Sequence, residues 1–501
     1  MIFIIGIVNF AKAQGAWDGL ILSQTQYEGT ARFTAMGGAF AALGGDFMTL
    51  SINPAGIGVY RNSEFTFSLA LNHGNTNADY LGNTVNDAYS KLSVNNLGIV
   101  FGGIRANEGL VSFNWGVGYN KLHTVTNRRT AAQGISQGSS RLAALANELT
   151  DASITYQQLD ANNAFDNLNS RYWTHILAWQ TMLLDHNPSG SDSEYLTTVE
   201  NASDLSQSGP LQQAYYAEQA GYTGEYVLSM GGNVSNKFYF GATFGIQSIR
   251  NEYFNKYAET AVNPSDFNTA ENPTLFNSFT HLSWLNTSGT GYNVKLGVIL
   301  RPVAGLRWGA YFHSPTWIHF SDKFSEQINS SFSDGAQYNS SISHNTSEYK
   351  VVTPVKWGMG LAYTFGNYGL LSVEYEGADY STLKMYGLEN DYYVQWMDVD
   401  KDAQELFKVA TNIRAGAEYR INQCSLRAGY SYYGSPVKDN DDFARHIIAA
   451  GAGYQWDGGF IDAVYSFSPG NKETFSLYTN SNELKNTNFA GKFIITLGFR
   501  F

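Results

Sequence analysis

From Phe489 to Phe501 the side chains divide by parity. Phe489, Phe493, Ile495, Leu497, Phe499 and Phe501 share one side, while Ala490, Lys492, Thr496, Gly498 and Arg500 share the other with a single large apolar companion, Ile494. Successive residues of a strand point to opposite faces, so the segment has one aromatic-aliphatic face and one small, polar face. A soluble sandwich strand can alternate in the same way. Here the pattern recurs along most of the chain, and a greasy face towards lipid with a polar face towards a lumen is the rule of transmembrane β-barrels.

Composition supports that reading. Charged residues make up 15% of the 501, below the roughly 25% of soluble domains, and aromatic residues another 15%. The mean hydropathy of -0.26 and the lack of any run of about 18 apolar residues exclude a membrane-spanning helix. Fifty glycines against ten prolines suit strands with room inside them. A net charge of -12 with no basic stripe argues against nucleic acid. Cys424 is the sole cysteine, so neither an intramolecular disulfide nor a cysteine metal site can form.

Residues 1–13 read as a secretory signal: the apolar run IFIIGIVNF, then Ala11-Lys12-Ala13, with cleavage expected before Gln14. The run lacks a positively charged start, as it would if translation began upstream of Met1. Residues 14–63 form a second unit. Its stretch from Ala31 to Arg61 is rich in Gly and Ala and weakly helical between Ala31 and Leu43. Gly37-Gly38 and Gly44-Gly45 permit tight turns and close backbone approach. No Lys-Ser or Lys-Thr follows, so it is no phosphate loop. Small residues ahead of the first strand suit a compact plug.

Strands begin at Glu64. Val111, Phe113, Trp115, Val117 and Tyr119 alternate with Ser112, Asn114, Gly116, Gly118 and Asn120, and the glycines are expected to face the lumen. Short turns at Asn233–Lys237, Gly366-Asn367, Asn422-Gln423 and Asp457-Gly458 alternate with long polar segments, among them 253–289 and the stretch ending at Glu348. About fourteen strands result, an even number as bacterial barrels require. Residues 123–222 break the alternation and contain helical patterns. They are expected as a partly helical extracellular insertion within the 64–501 barrel, with Trp173, Ile176, Leu177 and Trp179 as an outer capture site for a greasy ligand. The fold class expected is thus all-β, a transmembrane antiparallel barrel with an N-terminal plug.

Asn53-Pro54-Ala55, placed after the Gly/Ala-rich stretch and before the first strand, resembles the N-terminal hatch of the FadL/TodX (OMPP1) family of outer-membrane transport proteins. HSPTWIHFSD, TPVKWGMGLAYTF, LRAGYSYYGSPV and HIIAAGAGYQW follow in an order similar to that family's strand and loop phrases. The resemblance covers roughly residues 25 to 501 and departs at the 123–222 insertion. It implies passive uptake of hydrophobic small molecules, of the long-chain fatty acid or aromatic hydrocarbon type, through a barrel stoppered by its hatch. Implied partners are the ligand, outer-membrane lipid, lipopolysaccharide, and barrel-assembly machinery reading the strand that ends at Phe501, with the chain a monomer.

Other chemistry finds little footing. Asp398, Asp400 and Asp402 are spaced like a calcium loop, but Ala403 stands where glycine is required and Val409 where the closing Glu belongs. His313 and His319 could hold haem iron, which keeps a haem receptor as an alternative, alongside a surface adhesin through which nothing passes. Energy-coupled receptors need about 22 strands, more than this chain supplies. No HExxH motif occurs, no catalytic residue, metal or cofactor is expected, and the chain is read as no enzyme. Protein extracted from outer membranes should begin at Gln14 by N-terminal sequencing and migrate as a heat-modifiable band. Recovery in a soluble fraction would contradict the barrel.

Overall fold

A computed structural model describes residues 15–106, 109–387 and 399–501. The expected signal segment lies outside them. Seventeen hydrogen-bonded segments form one sheet, and three barrel strands each consist of two segments separated by a short break, so the barrel has 14 strands, all antiparallel to their neighbours. The first six are β1 (Glu64–Tyr80), β2 (Asn83–Arg105), β3 (Leu110–Ser136), β4 (Leu211–Val234), β5 (Phe238–Ala261) and β6 (Phe276–Val303). The broken ones follow: β7 (Leu306–His313 and Trp317–Phe332), β8 (Gln337–Val352 and Lys356–Thr364) and β9 (Gly369–Asp379 and Lys384–Gly387). Last come β10 (Val409–Ile421), β11 (Cys424–Tyr433), β12 (Arg445–Trp456), β13 (Gly459–Ser476) and β14 (Glu483–Arg500). β14 returns to β1 in unbroken register from Arg500↔Glu64 to Lys485↔Asp79, which closes the cylinder.

The parity rule sorts the walls as expected. Leu361, Tyr419 and Phe499 are 55%, 56% and 48% exposed, so they face outward and are not clamped between stacked sheets. Their neighbours Gly360, Glu418 and Gly498 face the interior. Ser235-Asn236, both at positive φ (54° and 58°), are the central residues of the tight turn joining β4 to β5, closed by the Lys237 amide donating to the Val234 carbonyl.

Above the lipid the alternation fades while the ladder persists. The polar segments expected as loops at 253–289 and up to Glu348 are largely strand: β5 runs to Ala261, β6 starts at Phe276, and β7 pairs with β8 from Trp317↔Val352 to Ser331↔Gln337. Likewise β3 continues to Ser136 and β4 begins at Leu211, so the insertion is residues 137–210, shorter than the expected 123–222. With water on the outside there is no apolar face to read, yet backbone pairing still holds these strands. The insertion folds into a cap with helices α3 (Arg141–Asp151) and α4 (Trp173–Gln180).

After helix α1 (Ala16–Ser23), residues 30–60 coil inside the cylinder into short helices and turns, beginning with α2 (Ala31–Ala35) and ending with the 3-10 turn Pro54–Val59. The wall makes room for them with lumen-facing glycines. A Cβ on Gly309 would stand 1.9 Å from the Ala41 carbonyl oxygen, and one on Gly98, Gly241 or Gly429 would overlap Phe47, Pro54 or Gly37. Ile494, the apolar exception of the last strand, is fully buried against Ala31 and Ala35 of α2. Gly309→Val should lower stability by about 1–3 kcal/mol through overpacking. It should be read as a lower temperature for the heat-modifiable shift and faster proteolysis of the hatch, while lipid-facing Leu361→Val leaves both unchanged.

Candidate functional site

The interior is organised by polar side chains on the lumen parity of the strands, and most of them hold the hatch. Asn53 Nδ2 donates to the carbonyls of Ala41 (2.6 Å) and Val298 of β6 (3.1 Å), and its Oδ1 accepts from the Ala55 amide. Pro54 starts the 3-10 turn, and Ala55 is buried against Tyr239 and Ile299. Thus the tripeptide locks one hatch loop to another and both to the wall. Gly37, Gly38, Gly44 and Gly45 all have positive φ, between 60° and 74°. At Gly37 the backbone also meets Tyr430 of β11 too closely for a Cβ. Ser431 and Ser372 donate to the carbonyls of Gly37 and Ala39, and Asn114 to those of Ile57 and Tyr60.

Buried charge supplies the strongest ties. Arg414 is fully buried and forks between Glu374 (2.7 Å) and Glu376 (2.9 Å), while Glu374 Oε2 accepts the amides of Phe40 and Ala41 at 2.8 and 2.7 Å. A second cluster joins Arg32 of the hatch to Glu418 of β10, and Glu418 to Arg427 of β11, which also reaches Asp462 of β13. In the segment leading into the hatch, Glu28 accepts from Thr124 of β3 and pairs with Lys492 of β14. Burial alone would raise the Glu28 carboxyl, but Lys492 and Lys121 beside it more than offset that and hold it at about 2. Acids such as Glu374 and Glu376, interleaved with Val373 and Tyr375, were the overlooked signal: a carboxylate on the inner parity of a membrane strand calls for a partner.

The expected outer capture site is not an exposed surface. Trp173, Ile176 and Leu177 are 3%, 0% and 0% exposed inside the cap's own core, with Trp179 half-buried at its edge. The helical spacing that suggested an apolar landing face is the packing face of α4. The cap is also bound to the rim: Thr174 donates to Glu326 of β7, Ser330 to the Thr181 carbonyl, and Glu259 of β5 accepts from the Ser140 hydroxyl and the Arg141 amide.

Other sequence candidates disperse. His313 faces inward and donates to the Ile52 carbonyl (2.6 Å), whereas His319 is exposed beside Glu348, so the pair cannot share a haem. Asp400 and Asp402 lie on a helix, α5 (Val399–Leu406), not a loop; Asp398 lies outside the described residues. Among the described residues no cluster of His, Cys, Asp or Glu could hold a metal ion, and no helix is long and apolar enough to cross a membrane.

Two features of the wall remain. β2 pairs with β3 only from Arg105 down to Asn96↔Asn120, although β2 continues to Asn83 beside β1 and β3 continues to Ser136 beside β4. Upper β3 instead bends across β1 and β14. Gly134 stands against Leu81, Thr130 accepts from Asn486, and Thr124 reaches Glu28. The ladder is therefore open between residues 83–95 and 121–136, with exposed Leu92 (65%) and Val94 (43%) at its margin. The second feature is a cavity above the hatch, lined in part by Gln24, Thr25, His123 and Arg445.

A closed cylinder with lipid-facing apolar residues and a stoppered lumen defines an integral β-barrel of the outer membrane. The family model described as outer membrane protein transport protein (OMPP1/FadL/TodX) matches residues 223–500. The chain belongs to that family, whose members are transport proteins rather than enzymes. Its fold is similar to the P. putida toluene transporter TodX (TM-score 0.55, 11% identity, 95% of this chain and 99% of that one). It is also similar to a Pseudomonas aeruginosa FadL homologue (TM-score 0.53, 13% identity, 95% and 99%). No curated sequence matches the chain.

Arg414→Met should destabilise the folded barrel by about 3–5 kcal/mol, because two buried carboxylates lose their cation. Adding Glu374→Gln and Glu376→Gln should recover part of that loss. Arg129→Met, which breaks a half-exposed pair with Glu218, should cost about 0–1 kcal/mol. Urea unfolding in detergent measures all three.

Proposed function

We propose that this chain carries hydrophobic small molecules passively inward across the outer membrane, past a hatch that stays in place, and releases them sideways through the wall. The unpaired stretch between β2 and β3 is the observation that most supports this reading. Between β2 and β3 an apolar solute meets an interruption of the backbone ladder bordered by Leu92 and Val94. An adhesin would need no such interruption. Transfer into it is favoured by about 25 cal/mol per Å² of apolar surface removed from water.

The division into a hatch at residues 14–63 and a barrel from 64 belongs to this reading, with Asn53-Pro54-Ala55 and the four hatch glycines as the residues that keep the stopper seated. The ligand class follows the neighbours: TodX is a toluene transporter, and the other is a FadL homologue. Outer contacts with lipopolysaccharide, delivery to barrel-assembly machinery through the strand ending at Phe501, and a monomeric state complete it.

Cysteines at Asn95 and Lys121, just beyond the last β2–β3 rung, in a Cys424→Ala background, test the route. Oxidation should staple the opening and abolish uptake of a labelled hydrocarbon into cells, and reduction should restore it. Undiminished uptake by the stapled protein would exclude a sideways path.

A further inference from the structure

The outer wall of the cylinder is uneven in height. β4, β5 and β6 run for 24, 24 and 28 residues, whereas β10, β11 and β12 run for only 13, 10 and 12. About 9–11 tilted residues cross a bilayer, so the short strands end near the membrane surface and the long ones stand well above it. The cap closes the tall part. Its core is continuous with buried residues of β1, β3 to β7, β13 and β14, among them Tyr80, Tyr257, Phe324 and Leu484. It is also tied on two sides, Thr479 donating to Glu148 of α3 and Ser340 of β8 to Gln180 of α4. Among the described residues, none of β9 to β12 joins that core. Over the low wall the cover is different. α1 packs against Leu383, Met385 of β9 and the α5 residues Val399 and Ala403. Beyond its end, Gln24 and Gln26 share a cavity with Tyr433, Pro436 and Phe443, where β11 gives way to the 434–444 connection. Gln24, Gln26, Tyr433 and Phe443 are only half-buried, so the cavity meets water.

We propose that the cap is a fixed roof and that apolar solutes enter over the low wall, between residues 24–26 and the 434–444 connection. The inference rests on the uptake reading above and supplies its entrance. Lifting the cap would bare Trp173, Ile176, Tyr257 and Phe324 to water together, and the loss of that apolar burial opposes the movement. Entry over the low wall requires no such exposure. Tyr380, Pro436 and Phe443 offer a hydrocarbon apolar and aromatic surface at its margin. β3 links this entrance to the interruption in the wall: His123 lines the cavity, and the same strand leaves β2 just below it. A solute taking this path passes beside the hatch without crossing the capped part of the lumen.

Intact cells carrying the full-length protein in a Cys424→Ala background test this. Gln180→Cys with Ser340→Cys, and Glu148→Cys with Thr479→Cys, are each bridged by a cleavable bis-maleimide. Cells with either bridge, or both, should take up labelled hydrocarbon as fast as unbridged cells. Gln26→Cys should react from outside with a bulky, membrane-impermeant maleimide, and uptake should then fall to that of cells lacking the protein. Ser283→Cys, at a site 4% exposed beside the Glu326 that holds the cap, should stay unlabelled. Heat-modifiable migration checks that each variant is folded. Uptake lost on bridging the cap, or labelling of Ser283→Cys, would make the cap a moving lid and overturn the inference. So would undiminished uptake through labelled Gln26→Cys, or no labelling there. If cells with the unaltered protein take up no hydrocarbon, the uptake reading falls, while the labelling pattern still decides between a fixed roof and a lid.

Discussion

Everything in this barrel depends on how closely a strand wall and a coiled segment can approach. Backbone meets backbone where Gly309 faces Ala41 and Gly429 faces Gly37, at separations that leave no volume for a side chain on the wall. Such contact removes water from hatch carbonyls, and each then needs a donor. The wall provides them from the same parity: Ser372, Ser431, Asn114 and Thr243 all donate to hatch carbonyls. Glycine makes the approach possible, and the polar neighbours along the same inner face keep it satisfied.

Much of this was legible beforehand, for a definite reason. Contact with lipid imposes an apolar face, so Phe65 to Leu71, Val111 to Tyr119 and Phe489 to Phe501 reveal their strands at once. Where water replaces lipid, that constraint lapses. The upper halves of β5 to β8 therefore read as polar loops although their ladders are continuous. The cap misled in the opposite sense. Trp173, Ile176 and Leu177 carry a helical apolar spacing, which reports that a face is buried but not against what; here it is buried in the cap itself.

The inner acids mark a further boundary of what a sequence shows. Glu374, Glu376 and Glu418 stand at the polar parity and announce buried partners, but those partners lie on other strands or in the hatch: Arg414 on β10, Arg427 on β11, Arg32 in α2. Pairings across the lumen require the closed cylinder and its register. The break between β2 and β3 has the same character. Lys121 and His123 show nothing unusual in sequence, and only the pairing reveals that β3 has left its neighbour there.

Energetics then discriminates between two ways of letting a solute through. Displacing the hatch would separate Glu374 from the amides of Phe40 and Ala41, Arg32 from Glu418, and Glu28 from Lys492. Glu418 would keep Arg427, but Glu28 would lose Lys492, and removing one partner of a buried pair costs about 3–5 kcal/mol. At 1.4 kcal/mol per tenfold, that pair alone holds the open form to about one molecule in a hundred or fewer. A sideways path through the interruption beside β3 breaks none of these ties. The charges that fasten the stopper therefore favour the proposed path around it over displacement of the stopper, and the ladder is open where β3, held by Glu28 and Asn486, bends away from β2.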